Sequence, residues 1–103
     1  MNTNLFSDNI SKLKSKFSPF DLVNKVENYF LSFKDIITQT PHLTPFSKGL
    51  LCELHNRKKS LEISFYEDNK ISYLKIDNGL ETEQKGVIDS KEDFLKLINW
   101  YFV

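Results

Sequence analysis

Four kinds of side chain in this sequence could take part in chemistry: a single thiol, Cys52; two imidazoles, His42 and His55; a close pair of acids, Glu81 and Glu83; and a basic cluster, "NRKK" at residues 56–59. Cys52 and His55 suggest a nucleophile with its base. Positions three apart in a strand point to opposite faces, however, so they cannot meet there. A structural zinc site needs about four ligands at recognisable spacing, and no Cys-x-x-Cys or His-x-x-x-His spacing accompanies either histidine. The glycines at 49, 79 and 86 are too scattered for a phosphate loop. Glu81 and Glu83 could serve acid–base chemistry in principle, but on an edge strand such acids are solvated. The basic cluster suits a turn tip better than an RNA contact. These residues therefore point to no catalytic group, no cofactor and no metal, and any activity must lie in the surfaces that the secondary-structure elements build.

With 103 residues the chain has room for one domain, 1–103. One cysteine precludes an intrachain disulfide and fits a reducing, cytoplasmic setting. The first residues lack the apolar core of a signal peptide, and no run approaches a membrane span. Formal charge is zero but uneven: about +1 over residues 1–40, +3 over 41–60 and −4 over 61–103. A sequence-independent nucleic-acid binder would need a basic excess, which is absent, so no direct contact with nucleic acid is expected. The acidic C-terminal half favours a basic partner.

The expected fold class is α+β: an antiparallel meander of three to four strands, with N-terminal helices (about 7–37) and a C-terminal helix (about 91–102) packed on a sheet spanning about 49–88. A first helix, about 7–17, places Ile10, Leu13 and Phe17 on one side after a cap at Ser7. A second, about 19–37, opens with Ser18 as N-cap, Pro19 at the first helical position and Asp21 in the capping box, and aligns Val23, Val26, Phe30, Phe33 and Ile37. "TQTPHLTP" then reads as a proline-broken connector. From Gly49 the hydrophobic period changes to two. The last helix starts at Ser90, capped through Asp93, and buries Phe94, Leu97, Ile98 and Tyr101.

Pairing outward from a two-residue turn at Asp68–Asn69 sets Glu62 against Lys75, Glu67 against Lys70 and Ile63 against Leu74. Continuing backward sets Leu54 against Leu61, Cys52 against Ile63 and Leu50 against Phe65. The core face is then Leu50, Cys52, Leu54, Leu61, Ile63, Phe65, Leu74 and Ile76. The opposite face carries Glu53, His55, Glu62, Lys75 and Asp77 at one end, with Leu51, Tyr66, Ile71 and Tyr73 at the other. That tyrosine patch is either covered by the N-terminal segment or open to a partner. Asn78–Gly79 marks a last turn, and a three-residue loop with a glycine bulge turns Glu81 and Glu83 away from the core on an edge strand of about 81–88.

In size and general design the chain resembles the small bacterial immunity proteins that neutralise toxins of contact-dependent growth inhibition and related systems. The resemblance implies a non-enzymatic cytoplasmic antitoxin that masks a toxin domain, often a basic nuclease, by charge complementarity. The residues expected to bind that protein partner are Glu62, Tyr66, Asp68, Tyr73, Asp77, Glu81 and Glu83. Two alternatives stand beside it: a phage or defence-related nuclease inhibitor, and a homodimeric accessory or structural subunit. The chain could be a monomer or a homodimer.

Overall fold

The computed structural model describes residues 2–16 and 20–103. Helices α1 (Thr3–Lys16) and α2 (Phe20–Ser32) precede five strands, β1 (His42–Phe46), β2 (Gly49–His55), β3 (Lys59–Tyr66), β4 (Ile71–Asp77) and β5 (Thr82–Val87), and α3 (Lys91–Phe102) ends the chain. The strands form one antiparallel sheet in the order β1-β2-β3-β4-β5. The α+β class therefore holds, with one strand more than the sequence suggests.

The extra strand is β1, which falls in the segment read as a connector. Proline cannot donate to a ladder, so it is tolerated only where its nitrogen faces away from the neighbouring strand. Pro45 meets that condition at the sheet edge, opposite Leu50.

All three helices lie on one side of the sheet. Phe6 of α1 packs on Phe30 of α2 at 5.8 Å, Phe30 on Phe94 of α3 at 5.3 Å, and Tyr29 on Phe65 of β3 at 5.5 Å. These rings join Leu50, Cys52, Leu54, Leu61 and Ile63 in a single core. Burying a phenylalanine or leucine side chain contributes roughly 1.5–3 kcal/mol, so rings and aliphatic side chains together stabilise this core. Ser90 caps α3 through Asp93 N at 3.2 Å, and Phe94, Leu97, Ile98 and Tyr101 are buried as their spacing requires.

α1 starts earlier than its sequence pattern suggests, with Phe6 as well as Ile10 buried. The expected roles of Phe17, Ser18 and Pro19 lie outside the described residues. α2 stops at Ser32 rather than near 37. Its end tightens through i→i−3 bonds, Phe33 N to Phe30 O and Lys34 N to Leu31 O, and the Ser32 hydroxyl donates to Asn28 O at 2.7 Å. Ile37 is nevertheless fully buried.

The β2/β3 register is the expected one, Leu54↔Leu61, Cys52↔Ile63 and Leu50↔Phe65. The β3/β4 register differs by one residue: Phe65 faces Ile71, Ile63 faces Tyr73 and Glu62 faces Leu74. The cause is the turn. A two-residue type I′ turn needs positive φ at both central residues, but only Asn69 (φ 71°) is left-handed there. Asn69 N donates to Tyr66 O, Tyr66 N to Lys70 O, and Asp68 Oδ1 accepts from Lys70 N. The result is a three-residue loop with a bulge at Asn69. That single residue turns β4 over. Ile71 and Tyr73 go under the helices, while Leu74 and Ile76, expected in the core, go to the other face.

The β4–β5 loop is longer than expected too, with Asp77 facing Thr82. Asn78 N instead donates to Lys58 O at 2.7 Å, tying this loop to the β2–β3 turn. Asp77 Oδ1 accepts from Gly79 N and Leu80 N, and Glu81 (φ 53°) is the left-handed residue.

Candidate functional site

The chemistry-bearing residues stay apart. Cys52 lies in the core, and burial, with Glu53 nearby, pushes its thiol well above the ordinary value, so the reactive thiolate is suppressed. His55 points to the opposite face, as strand alternation requires. Its Nε2 lies 3.0 Å from Glu53 Oε2 and its Nδ1 lies 3.1 Å from Ser60 Oγ. Among the described residues no group of three or more His, Cys, Asp or Glu is placed to hold a metal ion, and no helix is long and apolar enough to cross a membrane.

On the face of the sheet away from the helices, alternation and register bring together Thr44 and Phe46 of β1, Leu51 and Glu53 of β2, Glu62, Ser64 and Tyr66 of β3, Leu74 and Ile76 of β4, and Glu83, Lys85 and Val87 of β5. Among the described residues no element covers it: α1 packs on α2, on the other side. The expected tyrosine patch is therefore split: Leu51 and Tyr66 lie on this face, clear of residues 2–16, while Ile71 and Tyr73 lie on the helix side.

Three features define this surface. Leu51, Leu74 and Ile76 give it an apolar centre, half-buried by their own neighbours. Ser64 and Ser72, paired across β3 and β4, are small, so another surface could approach the backbone closely there. At one end Phe46 and Tyr66 meet edge to face at 5.7 Å, above Gly49, where a Cβ would collide with the Phe65 carbonyl.

Its electrostatics are lopsided. The strands place Glu53, Glu62 and Glu83 on this face against Lys85. Glu53 and Glu62 stand directly opposite each other across β2 and β3. Like charges at such positions destabilise a sheet. His55 bonds to Glu53, whereas Glu62 has no hydrogen-bonding or ionic partner among the described residues.

The residues expected to bind a partner do not form one patch. Glu62, Tyr66 and Glu83 share the open face. Tyr73 and Asp77 lie on the helix side, moved there by the bulge at Asn69. Tyr73 lies across Gly86, where a Cβ would come within 2.5 Å of its hydroxyl. Asp77 is occupied in holding the following loop. Asp68 sits in the β3–β4 turn and Glu81 in the β4–β5 loop, at opposite ends of the sheet. Lys75, expected beside Glu62, instead lies against α3, where it and Lys59 bracket the Trp100 ring at 5.2 and 5.0 Å. Glu53 and Glu62 fall on this face as the expected β2/β3 register requires, whereas Leu74 and Ile76, expected in the core, join them only through the shifted β4. Reading "EDN" as a three-residue loop ending in a left-handed asparagine is the signal that would have located them.

Compared with family models, with curated proteins and with solved structures, the chain matches none.

Proposed function

We propose that the chain is a non-enzymatic protein-binding inhibitor of the immunity or antitoxin kind, a bacterial cytoplasmic protein that lays the open face of its sheet against a basic surface of a toxin domain, such as a nuclease. The observation that carries this reading is the uncovered pair Glu53–Glu62. Two carboxylates facing each other cost stability in the free protein and add nothing to its core. An arginine or lysine placed between them would turn that repulsion into charge-assisted hydrogen bonding. Leu51, Leu74 and Ile76 supply apolar area around the pair, and Tyr66 with Phe46 supplies an aromatic rim of the type that anchors interfaces. The alternative of a nuclease inhibitor that imitates nucleic-acid charge calls for a longer acidic array. Three carboxylates and a lysine suit one basic patch better.

The test pairs the chain with the product of the gene beside its own. Host growth is measured while that product is expressed, with the native chain and with the double variant Glu53→Lys/Glu62→Lys. The native chain should restore growth, and the variant should fail to do so while unfolding in urea at a midpoint no lower than the native one. Full protection by the variant, or no binding between the native chain and the neighbouring product, would remove the proposal.

A further inference from the structure

The free backbone groups at the two sheet edges can be assigned from the ladders. In an antiparallel pair, residues whose N–H and C=O face the neighbouring strand alternate with residues whose groups face away. Ile88 N donates to Ile71 O at 2.8 Å, so Gly86 and Gln84, two and four residues earlier, also face β4. Glu83, Lys85 and Val87 then direct their N–H and C=O groups away from the sheet. On β1 the same alternation turns Leu43 and Pro45 outward, where Pro45 has no N–H to offer.

β5 is bare on more than its edge. Thr82, Glu83, Gln84, Lys85 and Val87 are all exposed, and within the strand only Gly86 is partly covered, by Tyr73 on the helix side. The helices sit chiefly over β2 and β3, and beside β5 they leave open clefts bordered by Trp100 and Tyr29. Large exposed apolar side chains flank it, Leu80 at 72 % and Val87 at 63 %. An unprotected edge of this length is a template for another strand.

We infer that β5 pairs antiparallel with β5 of a second copy of this chain, with Gln84 opposite Gln84, joining two five-stranded sheets into one continuous sheet. The charges select both occupant and register. Only the outward-facing residues can exchange backbone bonds across the new junction. A two-fold axis at Glu83 sets glutamate against glutamate, and one at Lys85 sets lysine against lysine. An axis at Gly86 leaves Glu83 beside Asp89. An axis at Gln84 sets Glu83 of each chain against Lys85 of the other, and each such pair exchanges both of its backbone hydrogen bonds. The same register brings Leu80 of one copy level with the Val87–Ile88 end of the other, covering the exposed apolar groups. No helix stands in the way on the packed side, and the open face stays free in both copies. The pairing stands independently of the function proposed above.

Sedimentation equilibrium of the full chain, from micromolar to millimolar concentration, tests this. The native chain should dimerise. Glu83→Lys and Lys85→Glu should each weaken association by about tenfold or more, since each puts like charges opposite each other twice. The combined Glu83→Lys/Lys85→Glu variant should restore it. Lys85→Pro removes an N–H that β4 does not use. It should abolish dimerisation while the Gln84 and Gly86 amides stay protected from hydrogen exchange. A native chain that remains monomeric throughout overturns the inference. So does a dimer indifferent to the single reversals, or a double variant as weak as the single ones.

Discussion

The two edges of this sheet solve the same problem differently. β1 is short, carries Pro45 at an outward position and has α1 alongside it, the two bordering a groove lined by Leu13, Leu43 and Pro45. β5 lacks proline and has exposed residues on both faces, with outward N–H groups at Glu83, Lys85 and Val87. One edge is closed by covalent structure and packing. The other is guarded only by the alternating charges of Glu83 and Lys85, a guard that repels an arbitrary strand yet complements its own copy. An edge can thus be blocked outright or left selective, and the residues facing outward decide which.

Three substitutions sharpen or break this contrast. The largest effect belongs to the β1 side. Phe6→Ala removes a fully buried ring that fastens α1 to Phe30, and it should lower the free energy of unfolding in urea by about 3–5 kcal/mol. A loss below about 1 kcal/mol would mean that α1 does not secure that side. On the β5 side, the internal support is Tyr73 lying over Gly86. Gly86→Val forces branched carbons into that ring and should cost about 1–3 kcal/mol by the same measurement, with the β5 amides becoming the first to lose protection. An unchanged midpoint would show that the ring does not hold the strand. The smallest effect on stability is expected from Pro45→Thr, within about 1 kcal/mol, because its nitrogen faces solvent. It restores an outward N–H, so association at high protein concentration should increase. If it does not, α1 rather than the proline closes that edge.

Much of the architecture is legible along the chain because it rests on local patterns. The capping of α3 by Ser90 follows from the type and spacing of its residues, as does the burial of Phe94, Leu97, Ile98 and Tyr101. The apolar stripe of α2 and the β2/β3 pairing around Cys52 and Ile63 are equally readable. The candidate site was less accessible. The sequence places Glu62, Tyr66 and Glu83 on the face away from the core, where the structure has them, but it also puts Tyr73 and Asp77 there and Leu74 and Ile76 in the core. All four errors have one source, the turn at Asn69. A chain with Glu62 opposite Lys75 has better cross-strand charge pairing than the one adopted, so local complementarity pointed to the wrong register.

Sequence by itself determined the class of the fold, the composition of its core through β2, β3 and α3, and the inertness of Cys52, because helical and strand periodicities and caps act over a few residues. Tertiary structure decided which side of β4 meets the helices, that a proline-bearing segment could serve as an edge strand, and that Leu74 and Ile76 would join Glu53 and Glu62 on an open surface. Those outcomes depend on the φ of one asparagine and on what lies across the sheet. Neither can be read from neighbours along the chain, since a shift of one residue in a ladder costs little locally and exchanges every side chain between two faces.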